Sequence, residues 1–456
     1  MRDEEKLGES GLNRRHFIGT AAAAGVILAA CSTGGNEQEQ LSLGPKVEAG
    51  PTTAPEGEPI RAGLIGCGGR GTGAALNFLG AGPGLELVAM ADLFQDRIDG
   101  CRSQLKEQKG VEIPDENCFV GFDAYRHLLD LDVNYVILAT PPHFRPEQFR
   151  AAVEARKNIF MEKPVAVDPV GARSIMESAE RAGALGLKVA TGTQRRHQRS
   201  YIETYNRIMD GAIGEIIAAR CYWNQEQLWY KEREKNWSDM EWMIRDWVNW
   251  CWLSGDHIVE QHVHNIDVVN WFTNSHPVKA VGMGGRSRRV TGDQYDFFSI
   301  DYQMENGVHV LSMCRQIDGC ATNVSEFIVG TRGASNCADT IYGPSGEVVW
   351  KWEPDEPPKE GASYDTAPGS AYDQEHIDLV TAIRENKPMN EARNTAVSTL
   401  VGIMGRISAY SGQETNWDEM MASDLRLGPT EYKLGPLDLK PIVPVPGSAA
   451  DETQEV

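Results

Sequence analysis

The sequence predicts an α/β protein in two parts: an N-terminal doubly wound domain on a parallel sheet, and a C-terminal α/β domain with a large, mostly antiparallel open sheet. Three observations carry this. Short apolar strands alternate with helical stretches between residues 59 and 193, and a glycine-rich turn follows the first of them. From about residue 195 the texture changes to longer strands of alternating polarity, as expected when one sheet face is covered. A chain of 456 residues is too long for one ordinary core, and a hydrophobic fraction of 41% is enough for two.

Residues 1–31 read as a targeting segment. "NRRHFIG" carries a twin arginine, the uncharged run "TAAAAGVILAA" follows, and "LAAC" ends at Cys31 in the manner of a bacterial lipobox. The run is too short to span a bilayer. The expectation is export by the twin-arginine route to the periplasm or cell envelope, with a lipid anchor at Cys31; the plainer alternative is a cleavable signal with an incidental cysteine. Residues 32–58, rich in Gly, Pro, Glu, Gln, Ser and Thr, read as a flexible linker. No apolar run of about 20 residues follows. A net charge of −21 disfavours nucleic acid and an anionic lipid surface as partners, since both need a basic face. Eight cysteines remain after Cys31, with no C-x-x-C pair and no spacing that points to a disulfide.

Residues 59–193 form the first domain. "IRAGLI" is a strand, and Gly66, Gly68, Gly69, Arg70 and Gly71 make up the G-x-G-x-x-G turn "GCGGRG" that opens a helix. The next strand, "LELVAMAD", ends at Asp92. Glycines let the backbone turn tightly and approach a pyrophosphate, which the helix N-terminus attracts. Asp92 accepts hydrogen bonds from the adenosine ribose and repels a 2′-phosphate. This Rossmann signature therefore favours NAD over NADP, with Arg97 as the residue that softens the preference. "VNYVILAT" brings Thr140, Pro141 and His143 to the nicotinamide side, and "NIFME" runs into Glu162, Lys163 and Pro164 at the crevice where ligands bind such sheets. The proline restricts Lys163 to extended backbone and admits a cis bond.

Residues 194–425 form the second domain, and 426–456 a Pro-rich strap with an acidic tail. "GDHIVEQHVHNID" concentrates three of the chain's ten histidines. Read as one helix over 257–267, it places Glu260 one turn before His264, with His257 on the same face as a candidate substrate contact and His262 roughly 200° round the axis. That face holds acid/base groups, a carboxylate orienting an imidazole. A zinc site made of His257, Glu260 and His264 is the alternative. Ligands on successive turns of one helix are spread along its axis and H-E-x-x-H is absent, so no metal is expected. Arg195 and Arg196 follow a strand end and suit substrate hydroxyls or a carboxylate, ion pairing being the equal alternative. Eight of eleven tryptophans fall between Trp223 and Trp271. Trp223, Trp229, Tyr230, Trp247 and Trp250 are candidate sugar-stacking platforms, although tryptophans three apart are more often core. His376 reads as a structural residue.

In order along the chain, "GCGGRG", "ILATPPH", "MEKP", "GTQRRHQRSY…GAIGEI" and "GDHIVEQHVHNID" resemble the Gfo/Idh/MocA oxidoreductases over roughly residues 59–425. The resemblance implies a Rossmann domain joined to an α/β domain whose open sheet mediates homodimers or homotetramers. It also implies NAD(P)-dependent chemistry on sugars, cyclitols or glycosides. It puts the catalytic groups on Lys163, Glu260 and His264, with Glu260 where aspartate is commoner and His262 where glycine is common. The expected activity is hydride transfer at a ring carbon with a retained cofactor. An NAD-dependent glycosidase working through a transient 3-keto intermediate is one alternative, and a non-catalytic sugar-binding lipoprotein is another.

Overall fold

The computed structural model describes residues 45–354, 370–439, 442–448 and 454–455. The signal segment and Cys31 lie outside the described residues.

The first sheet consists of β1 (Ile60–Ile65), β2 (Leu85–Asp92), β3 (Cys118–Val120), β4 (Tyr135–Leu138), β5 (Asn158–Met161) and β6 (Val189–Thr191), in the order β3-β2-β1-β4-β5-β6. Every pairing in it is parallel. Strands buried on both faces need no alternation, and "YVIL" of β4 is buried at all four positions. β3, an edge strand of three residues, is too short for a hydrophobic pattern to announce it. The strand order reverses between β1 and β4, so the crevice opens at their carboxyl ends, where the glycine turn and Thr140 lie.

The second sheet has nine strands, in the order β14-β13-β12-β11-β7-β10-β9-β8-β15. Its long members are β7 (Ile216–Gln225), β8 (Pro277–Gly285), β9 (Phe297–Met304), β10 (His309–Gln316) and β11 (Asn323–Gly330). The short ones are β12 (Ala334–Ser335), β13 (Thr340–Tyr342), β14 (Val348–Lys351) and β15 (Thr415–Asn416). β7 and β10 run parallel, and the other pairs are antiparallel. In β10, Val310, Ser312, Cys314 and Gln316 are buried while His309, Leu311 and Met313 face out, the period of two expected for one covered face. Helices Val263–Thr273 and Ala392–Ser411 cover that face.

Two segments depart from the sequence reading. The linker assigned to 32–58 is docked from Val47 onward: Val47 and Asn206 exchange hydrogen bonds of 2.9 and 2.8 Å, and Ala54 is buried with its amide on Ala81. Helix Ala371–Arg384, inside the stretch assigned to the second domain, packs on the first instead. Asn77 donates to Asp373 at 2.7 Å, and the Tyr135 hydroxyl meets His376 Nδ1 at 2.9 Å. Its N-cap, Ser370, accepts from the Asp373 amide. All eight described cysteines are unpaired thiols, and among the described residues no helix is long and apolar enough to cross a membrane.

Candidate active site

The glycine turn is built for a close ligand. Gly66 has φ +98°, and a Cβ there would lie 2.6 Å from the Ala139 carbonyl carbon; one on Gly71 would lie 1.8 Å from the Gly66 oxygen. Beside Gly68 and Gly69, in contrast, the space is open. Gly68 stands immediately before helix Gly69–Gly80, whose N-terminal amides face the same space. Asp92 accepts from the Cys67 amide at 2.7 Å and the Phe94 amide at 2.9 Å, which aims its carboxylate into the turn, and burial raises its pKa. Gly66, Gly68, Gly69, Arg70, Gly71, Asp92, Arg97, Thr140 and Pro141 line one cavity of about 490 Å³. Its open cradle, helix N-terminus and ribose carboxylate fit a dinucleotide.

His143 does not line that cavity. It sits edge-on to Phe144, Trp252 and Tyr432, its Nε2 is 2.6 Å from the Tyr432 hydroxyl, and burial lowers its pKa to about 3. It is a neutral packing residue, drawn away by an aromatic cluster to which the distant Tyr432 contributes.

β5 delivers Glu162 and Lys163, and the Lys163–Pro164 bond is cis. Lys163 Nζ donates to the Glu260 carbonyl at 2.6 Å and to Glu260 Oε1 at 3.1 Å, joining the two domains across the crevice. The second Glu260 oxygen accepts from Gln261 at 2.6 Å. The carboxylate thus serves the lysine rather than orienting the imidazole. The expected single helix over 257–267 is instead two, His257–Glu260 and Val263–Thr273, interrupted at Gln261 and His262, so the assumed one-turn stacking of Glu260 on His264 is lost.

The three histidines separate completely. His264 stacks on Trp223, centroids 5.6 Å apart, and its pKa falls well below the ordinary value through burial and the nearby cations Lys163, Arg195 and Arg70. It is a neutral imidazole next to an ammonium. His262 points into the sheet, its Nε2 2.7 Å from the Ser312 hydroxyl, and burial takes its pKa to about 3. His257, expected as a substrate contact, is buried against Phe298 with Nδ1 2.9 Å from Asp256. Among the described residues no three His, Cys, Asp or Glu side chains stand close enough to share an ion.

Both arginines after β6 are paired. Arg195 bonds the buried Glu326, which also accepts from Tyr201 at 3.1 Å and Asn265 at 2.5 Å. Arg196 is bidentate on Asp267 at 2.7 and 2.9 Å. Ion pairing, the alternative weighed for them, is what the fold uses, although Arg195 stays within reach of the Trp223 ring at 5.7 Å. Trp247 and Trp229, expected as sugar platforms, line the nucleotide cavity opposite the glycine turn. Trp223 is the tryptophan that stacks on His264.

Two residues carry weight that no motif announced. Arg145, buried, donates to the carbonyls of Thr140 (2.9 Å), Glu162 (3.0 Å) and Pro164 (2.5 Å), and so ties together the two strand ends that flank Lys163. Glu375, fully buried, stands 3.8 Å from Arg70, whose guanidinium also bonds Glu162 and lies over the Tyr372 ring. Burial and the neighbouring Glu162 push the Glu375 carboxyl well above its ordinary range. Glu162 itself stays ionised, because Arg70, Arg145 and Lys163 outweigh its burial.

The open glycine turn and Asp92 form a dinucleotide cradle at the switch point of the parallel sheet, and the Lys163–Glu260 pair bridges the two domains at the end of β5. The family model for the NAD-binding Rossmann fold of the oxidoreductase family matches residues 60–191, and the GFO/IDH/MocA C-terminal domain matches 201–335. The chain belongs to the Gfo/Idh/MocA oxidoreductase family. An α-N-acetylgalactosaminidase of Shewanella oneidensis is 28% identical over 48% of this chain and 47% of its own length. An inositol 2-dehydrogenase of Acidothermus cellulolyticus is 26% identical over 60% of this chain and 71% of its own. The chain thus spans about half the first of these relatives. Among solved structures, a scyllo-inositol dehydrogenase from Lactobacillus casei with bound NAD(H) and scyllo-inositol superposes with TM-score 0.59, at 19% identity, over 80% of this chain and 100% of that one. An oxidoreductase domain protein from Kribbella flavida gives 0.63 at 19% identity, over 79% and 99%.

Proposed function

We propose that the protein oxidises a ring hydroxyl of a sugar, cyclitol or glycoside and keeps its NAD between turnovers, the hydride taken from one substrate being passed on to a carbonyl group of a second. The observation that carries this is the Lys163–Glu260 pair bridging the two domains at the end of β5, with His264 near enough for the lysine's charge to lower its pKa. NAD, when bound, supplies the hydride acceptor. Lys163 or His264 takes the hydroxyl proton, and Glu260 holds the lysine in place. Trp223 offers an apolar face to a ring at the same point.

The likeness to an α-N-acetylgalactosaminidase favours a second reading, a closed cycle. A transient ketone at C3 acidifies the neighbouring C–H, the aglycone is eliminated, water adds, and the hydride returns. The twin arginine and the lipobox at Cys31 support export as an envelope lipoprotein, where free NAD is scarce and a retained cofactor is an advantage. The uncovered face of the second sheet, with Val281, Met283, Leu311 and Met313 exposed, supports self-association into a homodimer or homotetramer.

The test is purified protein assayed with a panel of sugars, inositols and p-nitrophenyl glycosides. Absorbance at about 340 nm reports net oxidation and released nitrophenol the closed cycle. Substrate-dependent signal in either channel is expected. A protein that binds NAD yet turns over nothing in the panel fits the non-catalytic sugar-binding alternative instead.

A further inference from the structure

The excursion between β7 and helix His257–Glu260 takes no part in proton transfer, yet it crosses to the first domain. Ser238 caps its helix Asp239–Arg245 by accepting from the Glu241 amide at 3.2 Å. From the last turn of that helix Arg245 reaches over the loop after β2. Its Nη1 and Nη2 donate to the two oxygens of Asp96 at 3.1 and 3.0 Å, and Nε donates to Glu241 at 2.9 Å. Its guanidinium lies 3.8 Å over the Phe94 ring, with Trp237 at 5.1 Å. Phe94 and Asp96 follow Asp92, the ribose carboxylate, by two and four residues, so the arginine is fastened at the adenosine end of the cleft.

The same excursion supplies part of that cleft's wall. Trp229 and Trp247 stand edge to face, 6.2 Å apart, and line one cavity with Gly69, Asp92 and Arg97. Trp229 is left 46% exposed. A large indole held open beside a dinucleotide cradle marks a ligand contact.

We propose that residues 226–247 form a latch, fastened by Arg245 on Asp96 and Phe94, that completes the adenosine half of the dinucleotide site and holds NAD(H) in the cleft. This rests on the reading of the cleft as the NAD site and gives the retained cofactor a structural cause. A bidentate pair plus a stacked guanidinium sets the scale. Losing both is expected to speed release about tenfold. Because Asp96 is largely exposed, the latch is sensitive to ionic strength.

The full chain is loaded with NADH and chased with excess NAD in a stopped-flow instrument, with nicotinamide fluorescence following dissociation. Arg245→Ala should raise the off-rate about tenfold and lower the nucleotide that copurifies. Arg245→Lys should fall between, since an ammonium neither forks nor stacks as guanidinium does. Trp247→Ala should release faster through loss of the contact itself. Arg150→Ala, which removes only an exposed helix pair with Glu154, should match wild type. Wild-type release should accelerate with salt toward the Arg245→Ala rate. If Arg245→Ala misfolds, Asp96→Asn removes the same pair from the other side. Off-rates within twofold of wild type in the folded Arg245 and Asp96 variants overturn the latch while leaving the NAD site intact. A wild-type protein that binds no NADH overturns the cofactor reading and the latch together.

Discussion

Replacing Arg145 by methionine tests how the first domain presents its lysine. Two effects oppose each other. Methionine removes a cation that burial destabilises: burial lowers the pKa of Arg145 by more than two units, to about 10. At about 1.4 kcal/mol per pH unit that relief is worth about 3 kcal/mol. Against it, the carbonyls of Thr140, Glu162 and Pro164 lose their common donor. Orphaned buried acceptors cost about 1–3 kcal/mol each, so about 6 kcal/mol for the three. The carbonyls win, and the variant should be about 3 kcal/mol less stable. Urea unfolding at neutral pH reads this as a lower midpoint with an unchanged slope. Turnover should fall too, by about a hundredfold if Lys163 shifts on the order of 1 Å. A variant with wild-type midpoint and wild-type turnover would refute the reasoning, because the strand ends would then hold Lys163 without the guanidinium.

Lys163→Ala should lose about 10²–10⁴ in kcat, the range of one acid/base group, while purifying with wild-type nucleotide content; undiminished turnover would remove the lysine from the mechanism. The two neighbouring histidines should behave oppositely. His264→Asn should lower kcat by a similar factor, whereas His262→Phe should leave kcat within about twofold and lower stability by about 1–2 kcal/mol, because the Ser312 hydroxyl and the weakly bonding Cys221 thiol lose their partner. Glu375→Gln should stabilise the protein near neutral pH. The fold raises the carboxyl's pKa, which is about 4.5 when unfolded, so wild-type stability is full below that value and drains away as pH rises. The amide has no proton to lose. Melting curves from pH 4.5 upward should show a widening gap, and parallel curves would mean that Glu375 is ionised in the fold.

What could be read in the chain divides along a physical line. The glycine turn, Asp92 and Lys163 were legible because each depends on local backbone demands: a tight turn, a strand end, a proline. The histidine cluster was legible as a cluster but not in its roles. Those depend on the interruption at Gln261 and His262, where the buried face passes from the helix to Ser312 on β10. Without it, Glu260 looked like the imidazole's partner; with it, Glu260 meets Lys163. Arg145 and Glu375 carry no signature, because both act on groups brought close only by the folded sheet. The tryptophans are visible as a group, but only tertiary placement separates Trp223 on His264 from Trp229 and Trp247 on the cavity beside the glycine turn.

The return of helix Ala371–Arg384 to the first sheet bears on how the chain is assembled. His197, next to the domain junction, lies between Asp378 at 2.7 Å and Glu391 at 3.1 Å, and the Val189 amide bonds the carbonyl of Met389. The nucleotide-binding half is therefore finished by residues made some two hundred positions after its sixth strand. A ribosome that has just released β6 has delivered a sheet whose flank is bare, and the whole second domain must be synthesised before that flank is covered. A cut between the two domains would strip the first of Leu379 and Val380, which its core contains.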